Sequence, residues 1–273
     1  MRRMMMVLSI LIVSIAWSAS AEPPAPAGPP SATGIDEELK YEWRLRGPLS
    51  WVAAVAFPTS GTGNLRTSTS TRDTVETELV IRARKGSDFY RYESEIEQDS
   101  IRTLMSYHGY AWGDKEKEER TFFDYVKKIA RIFKKSYKSP DETRERPIPE
   151  GPLRDVLTGI YYLRINSDSI TKPINNDIYS DGTMYPVQFK PLGTKSMTFE
   201  GKKVAVRGFE ITARPGDQSR WPGGVEVWFT TDSRKIPVQI SINQTLAALQ
   251  LDLASIEKTG SAPKPSGFVP PGR

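Results

Sequence analysis

Gly151-Pro-Leu-Arg-Asp-Val-Leu-Thr-Gly-Ile-Tyr-Tyr-Leu-Arg164 is the clearest helical signal in a chain that otherwise reads as strands. Leu153, Val156, Leu157, Ile160 and Tyr161 recur at i, i+3, i+4, i+7 and i+8, which makes one apolar stripe. Pro152 suits a first helical turn, where its missing N–H has no partner to lose. Asp155 carries the right sign for the positive end of the helix dipole. The pattern predicts a helix over about 152–166. A lone striped helix among strands must bury that stripe against a sheet. The expected fold is therefore mainly β (α+β), with an antiparallel curved sheet or open barrel wrapped around this one helix.

Working outward, strand signals lie on both sides. Leu39-Lys-Tyr41-Glu-Trp43-Arg-Leu45 alternates apolar and polar, as a half-buried strand does. Gly47-Pro48 marks a turn before a second expected strand, Trp51 to Phe57. Thr74 to Arg84 and Asp88 to Gln98 flank Lys85-Gly86-Ser87 as a hairpin. Ser100 to Tyr107 reads as a short helix or a bend. Lys115 to Lys138 is ambiguous: Phe122, Val126, Ile129 and Phe133 fit a basic amphipathic helix able to lie on a membrane. The rival is a strand pair, Arg120 to Tyr125 and Ala130 to Ser136, and periodicity by itself favours the helix. Pro140 to Pro149 reads as a polar loop, and Asn166 to Asp181 as a long connection. Strands follow at Thr183 to Pro191, Lys203 to Ala213, Val225 to Thr231, Ile236 to Ile242 and Leu246 to Leu253. Pro237 should keep its strand at an edge or turn its missing N–H to an unpaired side.

The ends differ in character. Arg2 and Arg3, the apolar run Met4 to Trp17 and Ala19-Ser-Ala21 have the form of a secretory signal peptide (residues 1–21), with cleavage near Ala21/Glu22. The apolar run is short for a membrane span, so no transmembrane segment is expected after cleavage. With no cysteine at that site, a lipid anchor is not expected either. Residues 22–34 read as a Pro-rich tether, 35–258 as a single β-rich domain and 259–273 as a disordered Pro/Gly-rich tail. The location implied is periplasmic.

Composition excludes several function classes. The chain has 273 residues and no cysteine, so thiol catalysis and cysteine-bound metals are out. A single histidine, His108, rules out a multi-histidine metal site. No Gly-x-Ser-x-Gly elbow or phosphate-cradling Gly-x-x-x-x-Gly-Lys accompanies it. No cofactor or metal is expected, and no enzyme activity. Of 38 Lys and Arg, Arg2 and Arg3 fall in the leader, leaving 36 against 33 Asp and Glu, too balanced to imply nucleic acid. Asp155 and Asp232 read as capping and turn residues rather than an acid–base pair. The aromatic residues near strands point to a packed core or, more sharply, to an apolar cavity between sheet and helix. Trp43, Trp51, Leu153, Val156, Leu157, Ile160, Tyr161 and Trp228 are the candidates to line such a cavity.

Three stretches together carry a family likeness: Leu39-Lys-Tyr41-Glu-Trp43, Asp155-Val-Leu-Thr-Gly-Ile-Tyr161-Tyr-Leu-Arg164 and Val227-Trp228-Phe-Thr-Thr-Asp232-Ser-Arg234-Lys-Ile-Pro237-Val. In this order they resemble the exported bacterial proteins grouped as domain of unknown function 3108. Thr158 stands where that family often has serine, and Gly159 costs a helix about 1 kcal/mol relative to alanine. The resemblance implies a cell-envelope location, no established reaction and a sheet curved around a helix, similar to the lipoprotein-carrier fold of the outer-membrane lipoprotein localisation proteins. It also implies the strand pair over Lys115 to Lys138, and it marks Tyr41, Asp155, Arg164, Asp232 and Pro237 as structural anchors. The function expected is a non-enzymatic binder of a lipid-like hydrophobic ligand or of an envelope partner. The alternative is a structural or assembly protein of the envelope with a filled core and no ligand.

Overall fold

A long antiparallel meander organises the chain. The computed structural model describes residues 36–48, 50–51, 58–71, 73–84, 89–216, 224–243 and 247–257. The expected signal peptide, tether and tail lie outside these residues, as do the loop Lys85-Gly86-Ser87 and residues 52–57 of the second expected strand. Eight strands come first: β1 (Glu37–Arg46), β2 (Ser60–Thr69), β3 (Thr74–Ala83), β4 (Phe89–Glu97), β5 (Arg102–Trp112), β6 (Lys115–Asp124), β7 (Ile129–Ser136) and β8 (Ser139–Pro147). A two-residue strand, β9 (Arg154–Asp155), leads into the helix α1 (Val156–Asn166). Then follow β10 (Ile174–Ser180), β11 (Thr183–Phe199), β12 (Lys202–Ala213), β13 (Val225–Thr230), β14 (Pro237–Asn243) and β15 (Ala248–Glu257).

All fifteen strands belong to one sheet. Sequence neighbours pair antiparallel within β1 to β8 and within β10 to β15, and β1 pairs with β15, which joins the two runs at mid-sheet. The free edges are β8 on one side and β9 on the other, β9 being the one parallel strand. The sheet is curved and open. Its two ends nevertheless touch through side chains: the Tyr179 ring of β10 meets Phe123 of β6 edge-on with centroids 5.1 Å apart. Lys117 of β6 pairs with Asp181 at 2.5 Å, and Arg146 of β8 donates to the Gly182 carbonyl at 2.9 Å. Asp181 and Gly182 both have positive φ, 47° and 72°, as a two-residue hairpin turn requires.

The period-2 expectation holds on β1, where Leu39, Tyr41 and Trp43 are buried and Lys40, Glu42 and Arg44 exposed. Lys115 to Lys138 is a strand pair, not a helix. Alternation on β6 explains this: Glu119, Thr121 and Phe123 point inward, so the helical spacing of Phe122, Val126, Ile129 and Phe133 marks no common face. Val126 is 95% exposed at the turn. Pro140 to Pro149 is mostly the edge strand β8 rather than a loop, and β5 replaces the expected helix or bend. The long connection after the helix contains β10. β11 runs on through Pro191 and Gly193, which look like breakers but sit at a β-bulge. Pro237 is not on an edge strand. β14 lies between β13 and β15, and Pro237 occupies its first position beside a register shift, so no ladder bond is lost.

The helix begins later than its stripe suggests. Pro152 and Leu153 are outside it, and Asp155 is its N-cap rather than a first-turn residue. Backbone pairing explains the delay: the Thr103 N–H donates to the Leu153 carbonyl at 3.0 Å, which holds the segment extended as far as β9. Burial is also not confined to a stripe. Leu157, Thr158, Gly159, Ile160, Tyr161, Leu163 and Arg164 are all buried, so the helix is enclosed rather than laid on the sheet. Eleven residues make a marginal helix in water. Burying Leu157, Ile160 and Leu163, at roughly 1.5–3 kcal/mol each, is what stabilises it. Gly159 allows a close approach there: a Cβ would lie 3.0 Å from Ile178 Cδ1 and 3.5 Å from Phe189. Among the described residues, no helix is long and apolar enough to cross a membrane.

Candidate functional site

The residues expected to line one central cavity come together in part: Trp43, Val156, Leu157, Ile160 and Trp228 meet in the main core, whereas Leu153, Tyr161 and Trp51 lie apart from it. Ile160 and Leu157 sit in the main core with Phe189, Phe209 and Phe229, buried side chains that pack the helix against the sheet. Trp43 joins that core and donates its Nε1–H to the Arg82 carbonyl at 2.8 Å. Leu153 belongs to a separate cluster with Phe123, Ala130, Ile148 and Tyr179, and Tyr161 to a third with Val75 and Ile96. Trp228 lies flat across Gly208, whose added Cβ would come within 2.7 Å of the ring, and Lys195 covers the ring at 3.5 Å. Trp51 is 70% exposed and helical rather than extended, so it lines nothing in the core.

The five anchor residues each hold two elements together. The Tyr41 hydroxyl donates to the Pro237 carbonyl at 2.6 Å, joining β1 to β14. Arg164, at the end of α1, is buried against Glu37 of β1 and donates to the Arg234 carbonyl at 2.8 Å. Asp232 accepts from Thr230 at 2.7 Å and pairs with Arg234 at 3.0 Å, fixing the β13–β14 turn. Asp155 accepts from the Thr158 N–H at 2.8 Å and from the Ser94 hydroxyl at 2.5 Å.

Asp155 also borders a polar pocket of about 30 Å³ at the helix N-terminus. Register places part of its lining: Tyr92, His108 and Glu119 are direct neighbours across β4, β5 and β6. Ser94, Ser106, Thr121, Tyr179 and Asp181 are among the other polar residues of its wall, with Val156 and Leu157 from the helix. Burial raises the Asp155 carboxyl, against hydrogen bonds from Ser94, Thr158 and Ser106. Burial, with repulsion from Asp181, raises Glu119, whose Oε1 accepts from the Tyr179 hydroxyl at 3.1 Å. Burial lowers His108, which stacks on Tyr92 with centroids 4.8 Å apart. Both serine hydroxyls serve Asp155, so neither is set up as a nucleophile activated by the imidazole. The space suits one or two water molecules. Among the described residues no group of three or more His, Cys, Asp or Glu is placed to hold a metal ion.

The apolar concavity lies at the other end of the helix. A groove of about 230 Å³ runs between the β11–β12 hairpin, the β13–β14 turn and the end of β15. Buried Ile236 and Val238 line it, with Phe199, Val204 and Ile256 beside them and Thr230, Thr231, Asp232 and Arg234 along its polar side. Of the residues singled out in the sequence, only Asp232 is among them. Phe199 and Ile256 fall beyond Pro191 and Leu253, where their strands were expected to have stopped, and the remaining lining residues lie in or beside expected strands that only the register brings together. A third, more open cleft of about 530 Å³ is lined by Arg102, Tyr125, Lys128, Ile148, Glu150 and Pro152, among others. Its charges are already engaged, Arg102 over the Tyr125 ring at 4.1 Å and Lys128 with Glu150 at 2.6 Å.

Comparison with known proteins reports on fold and family. The sequence model described as "Protein of unknown function (DUF3108)" matches residues 47–253. No curated protein matches the chain. Among solved structures, the β-barrel-like protein of domain of unknown function DUF1849 from Brucella abortus is similar, with a TM-score of 0.53 at 9% identity, over 83% of this chain and 98% of that one. At that identity the likeness is one of fold.

Proposed function

The chain belongs to the DUF3108 family of proteins of unknown function, and from that premise we propose that it is a non-enzymatic binding protein of the cell envelope which takes an apolar, lipid-like molecule in the groove beside Ile236 and Val238. The observation that supports this reading is the groove itself, an apolar recess bordered on one side by Thr230, Thr231, Asp232 and Arg234. A ligand with an apolar end and a polar head matches such a lining. The volume decides how much of it enters: about 230 Å³ is below the range of roughly 300–1,000 Å³ that encloses a drug-sized molecule. One apolar segment is held, and the head stays outside. Export by the signal peptide would bring the protein to the periplasm, where lipids and lipoproteins supply such segments.

Native mass spectrometry of the protein purified from the periplasm should show a co-purifying amphiphile, and Val204→Lys, which puts a charge in the groove, should remove it. An adduct that persists in Val204→Lys places the ligand elsewhere, and a ligand-free spectrum for both proteins removes the reading. The packed core around α1 supports a second reading, an assembly protein without ligand. Its partner would meet side chains rather than backbone. The free edge β8 carries Pro140, Pro147 and five charged residues, Asp141, Glu142, Arg144, Glu145 and Arg146, which oppose addition of another strand.

A further inference from the structure

Ile256 forms one wall of the apolar groove and is the penultimate residue of β15. The chain therefore leaves the sheet at the groove and continues as residues 258–273. In that segment Phe268 and Val269 are the large apolar side chains, and prolines at 263, 265, 270 and 271 flank them. The N-terminal counterpart, residues 22–34, holds only proline, alanine, glycine and small polar residues after Glu22, nothing that would fill an apolar recess. Reach is no obstacle: the twelve peptide steps from Ile256 to Phe268 span up to roughly 40 Å. Tethering makes even a weak contact effective. A segment on a short linker is present at an effective concentration on the order of millimolar, so a millimolar affinity already fills the groove half the time. Prolines beside the anchors also reduce the entropy lost on docking.

We propose that, without ligand, the groove is occupied by the chain's own C-terminal segment, with Phe268 and Val269 seated against Phe199, Val204 and Ile256. This rests on the groove being the binding site, and it adds a competitor: an apolar ligand enters by displacing the segment.

The absence of native cysteines gives a direct test. Phe268→Cys combined with Val204→Cys should form a disulfide under mild oxidation at least about tenfold faster than Phe268→Cys combined with Lys138→Cys at the distant β7–β8 turn. Equal rates overturn the proposal. Full-length Phe268→Ser/Val269→Ser should bind the apolar probe 1-anilinonaphthalene-8-sulfonate several-fold more tightly than the wild-type chain. Equal probe affinity in the two proteins, with Val204→Lys still weakening it, overturns the proposal and leaves the groove as a binding site. Probe affinity unaltered by Val204→Lys instead overturns the groove reading, whatever the disulfide rates show.

Discussion

The carboxylate of Asp155 accepts the Thr158 N–H at 2.8 Å through one oxygen and the Ser94 hydroxyl at 2.5 Å through the other. One side chain thus caps α1 and ties its first turn to β4, in a site where burial works against its charge. Asp155→Ala should cost about 2–4 kcal/mol, combining a lost cap of roughly 1 kcal/mol with 1–3 kcal/mol for a buried hydroxyl left without its acceptor. Urea denaturation measures it. A loss under about 0.5 kcal/mol would mean that the helix start is held by the Thr103 pairing to Leu153 instead.

Gly159→Ala opposes two effects of known sign. Alanine improves helix propensity by about 1 kcal/mol. The added methyl meets Ile178 Cδ1 at 3.0 Å in a packed core, and overpacking costs about 1–3 kcal/mol. Net destabilisation of about 1 kcal/mol is expected in thermal unfolding. A stabilised variant would show that β10 yields to the helix, and that the close approach is not needed.

How far these contacts were legible in the sequence differs by element. β1 could be read because one of its faces is wet, so alternation survives in Leu39, Tyr41 and Trp43. The helix could be found, but its start could not: what extends Pro152 to Asp155 is a backbone bond from Thr103, about fifty residues earlier in the chain. β6 was obscured for a different reason. Its inward residues Lys117, Glu119 and Thr121 face a polar pocket and the β10 turn, so the apolar half of the pattern is missing. The groove was hidden because it is made of strand ends, Phe199, Val204, Ile236 and Ile256, which only the register brings together. Pairwise anchors such as Tyr41 with Pro237 left a trace as motif residues. Their partners had to be seen.

Arg164 and Glu37 form a buried pair whose side chains are 5% and 12% exposed. Removing one partner strands the other, so Arg164→Met should cost about 3–5 kcal/mol by chemical denaturation. The double variant Arg164→Met/Glu37→Gln should recover much of that loss, since no bare charge remains. Additive losses would instead assign the effect to the Arg234 carbonyl, which Arg164 also holds at 2.8 Å.

His108 sets a pH dependence. Burial lowers its pKa below the ordinary 6.5, so the folded state prefers the neutral ring. Its contribution is fully present above pH 6.5 and is lost as pH falls towards the folded value, because the unfolded chain takes up the proton first. Glu119 and Asp155, both raised by burial, contribute with the opposite sign: their share is lost as pH rises through their folded values. The comparison to make is therefore wild type against His108→Gln, by urea titration from pH 7.5 to 5. The wild type should lose more stability than the variant over that range. Parallel curves would show that the imidazole titrates alike in both states.

Tyr179 carries the contact between the two ends of the sheet. Its hydroxyl lies 2.8 Å from Thr121 Oγ1 and 3.1 Å from Glu119 Oε1, and its ring meets Phe123. No ladder pairs β8 with β10, since they stand near opposite ends of the strand order, so side chains close the gap. Tyr179→Phe keeps the ring and deletes the hydroxyl, leaving the buried Glu119 carboxyl without its donor. A loss of about 1–3 kcal/mol is expected. Its location is the sharper expectation. Hydrogen exchange should quicken in β9 and β10, which border the gap, while β1 and β15, paired with each other at mid-sheet, stay protected. Uniform quickening across all four strands would mean that the ends unfold together with the whole sheet, and that the side-chain closure is not a separate opening unit.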